Sequence, residues 1–433
     1  MKIKYQDIIN EIDDYRLSCY PPHYPVIKVW NYIKESKIKK IQNKLKTYLL
    51  NSTNQIGLYI NIPFCKTKCK FCYLRVYTSK NNIEKFIDGL IKEMEIYSIY
   101  SIKPDSIYIA GGTVTLLKSK ELKKIFENLH KNFDLKKTKQ ITIETSPSFL
   151  NEEKVKILKS YGVNLIMLGI QSFSKEISKN ENRYQKTNDI KKAINLFKKY
   201  KIAFNIDLIA GLSDKKTFIS DIYNILKIKP DLIHLNKLKP PKDINHKMEI
   251  EKLQKIGISI LKEHGYKIID EESGCLKNIK NIQGEMDYQN TSNIIGIGPG
   301  SLTHIYSKIR YSTYFELEKY IELINKGLIP IEKYIKISQR DEIDFYVLSH
   351  ISEGIKIDEI KKRFLDSFKS IKNRIEKLQK KAIVLIKGNR YYLNQSIPSS
   401  WYEITKNFYQ KKYLKKLNKL ISHKFNKHQN HLL

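Results

Sequence analysis

Short apolar runs alternate with longer polar stretches through the middle of the chain. The runs fall at 56–62, 105–110, 140–145, 163–170, 203–209 and 231–238. Each is bounded by loop residues, the pattern of a strand buried on both faces. Between them, apolar residues at helical spacing mark 82–99, 119–131, 151–161, 188–200, 214–227 and 247–264. Several of these segments open on a residue such as Ser119, Asn151 or Asp189 that can cap a helix. Strand–helix units in series predict a parallel sheet, either doubly wound and open or curled into a full or partial TIM-like barrel.

The polar residues favour the curled form. The first run is followed by Cys65, Cys69 and Cys72, the second by Gly111, Gly112 and Thr113, and the third ends near Glu144. The fourth ends on Gln171, the fifth holds Asn205 and Asp207, and the sixth runs into Asn236 and Lys239. In barrels of βα units the chemistry collects at the carboxyl ends of the strands. Polar side chains from successive strands meet at one place only if the sheet bends around it.

Composition adds constraints. Lys and Arg number 79 against 45 Asp and Glu, a formal net charge of +34, while 41% of residues are apolar, enough for a sizeable core. The charge suits nucleic acid, an acidic membrane face or an anionic substrate. Its even spread, mostly as Lys, reads instead as a residue bias on a solvated surface. The length suggests two or three domains. The amino terminus shows no signal-peptide pattern, and no apolar stretch reaches the roughly 18 residues of a membrane span. Five cysteines are too few for a disulfide scaffold. A protein of the reducing cytoplasm is expected.

Three of those cysteines fall in one loop, CKTKCKFC, from Cys65 to Cys72. Thiolates spaced Cys-x-x-x-Cys-x-x-Cys can turn toward one centre, as soft ligands for an iron–sulfur cluster or for zinc. A four-iron cluster held by three cysteines keeps one iron open for a small molecule. Structural zinc wants a closed four-ligand shell, and neither Cys275 nor His23 is near in sequence. Lys66, Lys68, Lys70 and Arg75 lie in or beside the loop, where they can offset an anionic cluster.

These residues carry a family resemblance. YINIPFCKTKCKFC from Tyr59 to Cys72, GGT at 111–113, ETSP at 144–147, GVNLIMLGIQSF at 162–173, NIDLIAGL at 205–212 and GIGPGS at 296–301 follow in order. Together they resemble the oxygen-independent coproporphyrinogen III oxidase (HemN-like) branch of radical S-adenosylmethionine (SAM) enzymes. CYPPHYP at 19–25 resembles that branch's amino-terminal extension. The resemblance implies that Cys65, Cys69 and Cys72 hold a 4Fe-4S cluster and that Gly111, Gly112 and Thr113 receive the methionine end of SAM. It places Tyr59, Glu144 and Leu302 at this SAM, and Phe71, Gln171, Arg183 and Asp207 around a second one, with Lys239 beside them. The implied reaction is reductive cleavage of SAM to a 5'-deoxyadenosyl radical that abstracts a substrate hydrogen, with electrons from a donor such as flavodoxin or ferredoxin. Three positions depart from the oxidase pattern: Ala110 and Val114 in the glycine motif, and Leu74 where the oxidase has a further cysteine. GIGPGS is closer to the heme-chaperone (HemW-like) relatives.

Past residue 305 the periods change. Helical spacing at 314–326, 339–351, 356–366 and 368–380 leads into two apolar runs around Gly388-Asn389, a hairpin. Helices followed by such a wing predict a winged-helix-like domain. With the basic stretch 411–433 this is also a DNA-binder's outline, but the HemN-like branch carries a similar domain as a substrate cover, so nucleic acid ranks low as a partner. His423, His428 and His431 read as exposed tail residues.

The expected fold is α/β: a partial TIM-like (β/α)6 radical SAM barrel with a helical, winged-helix-like carboxyl-terminal domain. The expected divisions are 1–50, an amino-terminal extension; 51–305, the barrel; 306–400, the accessory domain; and 401–433, a basic tail. The expected activity is that of a HemN-like radical SAM enzyme on a porphyrin or tetrapyrrole-related substrate, using one or two SAM. Two alternatives stand beside it, a two-SAM radical methyltransferase of a small aromatic or heterocyclic compound and a HemW-like heme chaperone.

Overall fold

A computed structural model describes residues 25–419, apart from 51, 240–243, 271, 277–278, 280, 283, 285, 287–291, 395, 398–399 and 418. His23, most of CYPPHYP and the tail histidines lie outside the described residues. The chain divides into two compact units, one of Ile33–Ile305 with Arg310–Glu332, the other of the residues before Ile33, Tyr306–Ile309 and the chain from Lys333 onward.

The larger unit begins with α1 (Glu35–Leu50), whose Ile38, Leu45 and Leu49 are buried. Then follow β1 (Ile56–Ile62), α2 (Ile83–Ser98), β2 (Ser106–Gly111), α3 (Ser119–Asn132), β3 (Gln140–Thr145), α4 (Glu152–Ser160) and β4 (Leu165–Gln171). The short α5 (Lys175–Asn180) and α6 (Thr187–Lys199) lead to β5 (Ala203–Ala210), α7 (Lys215–Ile228), β6 (Leu232–Lys237) and α8 (Ile244–Glu263). All six strands stand in chain order and pair parallel with their neighbours.

The sheet is wider than the periodicity shows. On one side, β8 (Ser273–Cys275) pairs antiparallel with β6, and β7 (Lys267–Ile268) pairs antiparallel with β8 at the edge. On the other, β9 (Asn293–Ile297) pairs parallel with β1 as a seventh parallel strand, followed by antiparallel β10 (Leu302–Ile305) and then β11 (Ile309–Thr313). The helix α9 (Leu317–Asn325) follows.

Alternation along the strands decides which side is core. Ile60, Ile109, Ile143, Leu168, Ile206 and Leu235 point outward and are fully buried. Against them lie the apolar stripes of the helices, such as Leu122, Ile125, Phe126 and Leu129 of α3 and Ile190, Ala193, Ile194 and Phe197 of α6. Each buried Leu, Ile or Phe among them contributes on the order of 1.5–3 kcal/mol. The helix starts differ in part from expectation. Asn151 caps α4 through the Lys154 N–H at 2.9 Å. Ser119 is already helical, and the start of α3 is held instead by Glu121 reaching back to the Lys118 N–H at 2.7 Å. Asp189 sits within the first turn of α6, behind Lys186.

From Gln339 to Leu393 the smaller unit follows the order helix, strand, two helices, two strands: α10 (Gln339–His350), β12 (Ile355–Lys356), α11 (Ile357–Arg363), α12 (Phe368–Gln379), β13 (Val384–Lys387) and β14 (Arg390–Leu393). The strands pair β12-β14-β13, and Gly388 turns the hairpin at φ +56°. This is the winged-helix arrangement expected. Buried Asp344 of α10 accepts from Arg374 of α12 at 2.6 Å. The tail begins with α13 (Ser400–Phe408) and a helical stretch at 411–417.

Candidate active site

The cysteine loop leaves the carboxyl end of β1 and is pinned at both ends. Cys65 N–H donates to Tyr77 O at 2.9 Å and Tyr77 N–H to Pro63 O at 2.7 Å. The Phe64 ring packs on Phe86 at 5.0 Å, and the Tyr77 ring stacks on Phe315 at 4.8 Å. Arg75 lies over the same Phe315 ring and pairs with Glu316 at 2.9 Å. Between these anchors lies the tip with the three cysteines, all half-buried.

The tip meets the loop that follows β4. Thr67 Oγ1 donates to Asn182 O at 2.9 Å, Asn182 Nδ2 to Lys68 O at 3.0 Å, and Lys70 N–H to Glu181 O at 3.0 Å. Arg183 Nη1 lies 3.9 Å from Cys69 Sγ. In a flat sheet the ends of β1 and β4 would stand three strand spacings apart, roughly 14 Å. Direct bonding between their loops brings the two strand ends to one place, as the polar strand ends implied.

Burial is the main force on the thiols, pushing Cys65 and Cys72 upward from the ordinary cysteine value. For Cys65, the Thr113 hydroxyl at 3.6 Å pulls the other way, the neighbouring cysteines raise it further and Arg183 lowers it. For Cys72, the backbone N–H of Leu74 lowers, Cys69 raises, and Lys68 and Arg183 lower. Among the described residues no three His, Cys, Asp or Glu converge on a point where one metal ion could sit. Three half-buried thiols with a guanidinium beside them fit a polynuclear iron–sulfur group, whose charge favours the thiolates that burial alone disfavours.

The glycine loop runs flush against this structure. Gly112 N–H donates to Ile62 O at 2.9 Å and Thr113 N–H to Phe64 O at 2.8 Å. A Cβ on Gly112 would stand 2.4 Å from Phe64 O, and one on Gly111, at φ +109°, 2.0 Å from Asn61 Oδ1. Only glycine permits that approach.

Below the loops, the inner face of the sheet is polar. Tyr59 and Tyr108 stack at 6.1 Å, and Tyr108 Oη donates to Glu144 Oε1 at 2.6 Å. Burial raises Glu144 to about 7; the Tyr108 bond lowers it, Asp207 raises it and His234 lowers it. Asp207 is likewise raised by burial and lowered by His234 at 3.7 Å, Asn205 Nδ2 at 2.5 Å and Arg183. Beneath lies an apolar floor of Tyr108, Ala110, Leu165, Met167, Leu232 and Cys275. Gln171 sits at an irregularity in the β4–β5 register with φ +70°, and its buried Oε1 has no partner among the described residues. An unmet acceptor at the mouth is a group that could receive a donor from a ligand.

Arg183 donates to Gly169 O and to Gln185 Oε1, so its guanidinium is fixed between the cysteine loop and the lumen. Phe71 is half-buried in the cysteine loop, Leu302 is half-buried at the start of β10, and Lys239 follows β6. The structure thus gathers Thr113 and Arg183 with the cysteines, and Glu144 with Asp207. Tyr108 and His234 were missed. Both lie at the same strand parity as Glu144 and Asp207, and reading each strand two residues at a time finds them.

The radical SAM superfamily profile matches residues 59–219, which span the cysteine loop, the glycine loop and the first five strands. The chain is 31% identical over 277 residues to the heme chaperone HemW of Buchnera aphidicola subsp. Schizaphis graminum, covering 59% of this chain and 72% of that protein. It is 26% identical over 420 residues to the oxygen-independent coproporphyrinogen III oxidase of Helicobacter pylori strain J99, covering 86% and 90%. In fold it matches coproporphyrinogen III oxidase (HemN) from Escherichia coli with a TM-score of 0.70 at 19% identity, covering 85% of this chain and 93% of that one. The fold and the cysteine loop thus define a radical SAM protein, a class that implies a 4Fe-4S cluster and SAM. Within it, this chain belongs to the HemN/HemW family. No described helix is long and apolar enough to cross a membrane.

Proposed function

We propose that this chain is a HemN-like radical SAM enzyme that acts on a porphyrin or other tetrapyrrole-related substrate. Cys65, Cys69 and Cys72 hold the cluster, and SAM lies between their loop, the Gly111–Thr113 loop and the lumen. The observation that carries the reading is the meeting of the loops after β1 and β4 above the acids of β3 and β5. When bound, the cluster and SAM supply a one-electron reduction and a carbon radical able to take a hydrogen atom. The chain's own residues do the positioning. Arg183 keeps a positive charge beside Cys69, Gly111 and Gly112 let backbone groups reach the ligand, and Glu144 and Asp207 accept from its donors. The apolar floor excludes water from below. Gln171, Arg183 and Asp207 are the group that would take a second SAM. The substrate class rests on relatives named for heme and coproporphyrinogen.

A specific observation also favours the heme-chaperone reading. Two residues past Cys72 the chain presents Leu74, 38% exposed, where the oxidase pattern has a thiol. One anaerobic incubation of reconstituted protein with SAM and reductant separates the readings. Carbon dioxide released from coproporphyrinogen III together with 5'-deoxyadenosine is the expected result. Added S-adenosylhomocysteine would instead indicate methyl transfer, and stoichiometric heme binding without turnover a chaperone. If the chain assembles no cluster, or keeps it after all three cysteines become alanine, the reading fails.

A further inference from the structure

Behind the site lies a buried carboxylate that neither the cysteine loop nor the lumen uses. Glu93 of α2 is fully buried. Its Oε2 accepts from the Gly298 N–H at 2.7 Å and from Tyr320 Oη of α9 at 2.5 Å, while Oε1 has no partner among the described residues. Burial raises its pKa to about 7 against the pull of those two bonds. An apolar side chain would avoid this cost, so the carboxylate requires a local reason.

The reason lies in the segment Gly298-Pro299-Gly300-Ser301, which joins β9 to β10. Gly298 has φ +101° and a Cβ there would stand 2.4 Å from Asn61 O; Gly300 has φ +75° and its Cβ would stand 2.8 Å from the Phe315 ring. A backbone turned this way aims the Gly298 N–H into the core, away from any strand partner, and Glu93 is the group that receives it. The other polar groups of the segment are also held from behind. Thr313 Oγ1 donates to Gly298 O at 2.7 Å and accepts from the Ser301 N–H at 2.9 Å. Gly300 N–H donates to Tyr314 O at 3.1 Å, and Asn61 Nδ2 donates to Pro299 O at 2.6 Å. The same Asn61 lies against Gly111, so the segment and the glycine loop share one support.

We infer that Glu93 is a positioning residue: by holding the Gly298 N–H it fixes the segment that carries Leu302 against the glycine loop, and so shapes one wall of the SAM pocket. The inference rests on the SAM site proposed above.

Hydrogen exchange on the cluster-free full chain tests the anchoring without any cofactor. Glu93→Leu should speed exchange across 296–303 about tenfold or more, Glu93→Gln should stay within about threefold of wild type, and β3 and β4 should not change. In reconstituted protein, SAM affinity should fall about tenfold in Glu93→Leu and hold in Glu93→Gln, with iron per chain unchanged. Asp344→Leu, which removes a buried acid from the smaller unit, should lower the melting temperature and leave SAM affinity alone. If Glu93→Leu does not fold, Tyr320→Phe removes one bond of the network and Thr313→Val at least two, and these should give shifts of the same sign, about threefold for the first and larger for the second. Unchanged exchange across 296–303, or SAM affinity equal to wild type, overturns the inference. Wild-type protein that binds no SAM sinks the functional reading instead, and the exchange result still decides the anchoring.

Discussion

On the outer face of the parallel sheet, Leu58, Ile60, Ile109, Ile143, Leu168, Ile206 and Leu235 are wholly buried under helices. On the inner face their immediate neighbours in sequence are Tyr59, Tyr108, Glu144, Gly169, Asp207 and His234. One face gains free energy from every side chain it buries, while the other spends some of it holding half-buried acids whose charge is disfavoured there. A shift of one residue along a strand would exchange the two. Successive side chains point to opposite faces, so stability and chemistry lie one residue apart, roughly 3.3 Å of backbone rise.

That separation can be broken on purpose. The largest effect is expected at Gly112, where alanine would drive a methyl group to 2.4 Å from Phe64 O. SAM cleavage should fall by about a thousandfold, some 4 kcal/mol, with far-ultraviolet circular dichroism unchanged; retained cleavage would mean that the loop is not part of the site. On the outer face, Ile143→Ala should cost about 2–4 kcal/mol in chemical unfolding and leave SAM affinity as it is. A change in affinity would show that the two faces are coupled.

A third test uses pH. The folded pKa of Glu93 lies near 7 against an ordinary 4.5. A folded state with the higher pKa binds more protons between those values, so stability falls as pH rises through that window and is level above it. Glu93→Gln lacks the slope. Its advantage over wild type should therefore grow across the window toward the order of 2–3 kcal/mol, read from urea midpoints at about pH 5 and about pH 8; a constant difference would contradict the buried-carboxylate account. The smallest effect belongs to the surface. Lys199 pairs with Glu152 at 2.6 Å, both well exposed, and Lys199→Ala should change stability by less than about 1 kcal/mol.

Much of this was legible in the chain. The six runs of apolar residues became β1 to β6, the intervening helices start within a few residues of expectation, and the wing turns at Gly388. Period-two and period-3.6 patterns are local and survive without the rest of the molecule. The cysteines were legible for the same reason, since three thiols within eight residues cannot be far apart. Less was visible where partners are distant. β9 lies more than two hundred residues from β1, and its run of Asn293–Ile297 is too short to announce itself as a seventh parallel strand. His234 is one polar residue in an apolar run, and only its pairing beside Asp207 places it in the lumen.

By itself, the sequence determined the six strand–helix units, the wing, the cysteine spacing and the glycine loop. The tertiary structure alone decided that Arg183 stands beside Cys69, that Glu144 and Asp207 share one interior, and that Glu93 receives the Gly298 N–H. The physical reason is reach. Local patterns depend on neighbours a few residues away, whereas these contacts join residues 63 to 205 positions apart, brought together only when the sheet curls. The charge of +34 divides in the same way. Most of it is surface that composition already described, and only the curled sheet brings the Arg183 guanidinium to the thiols.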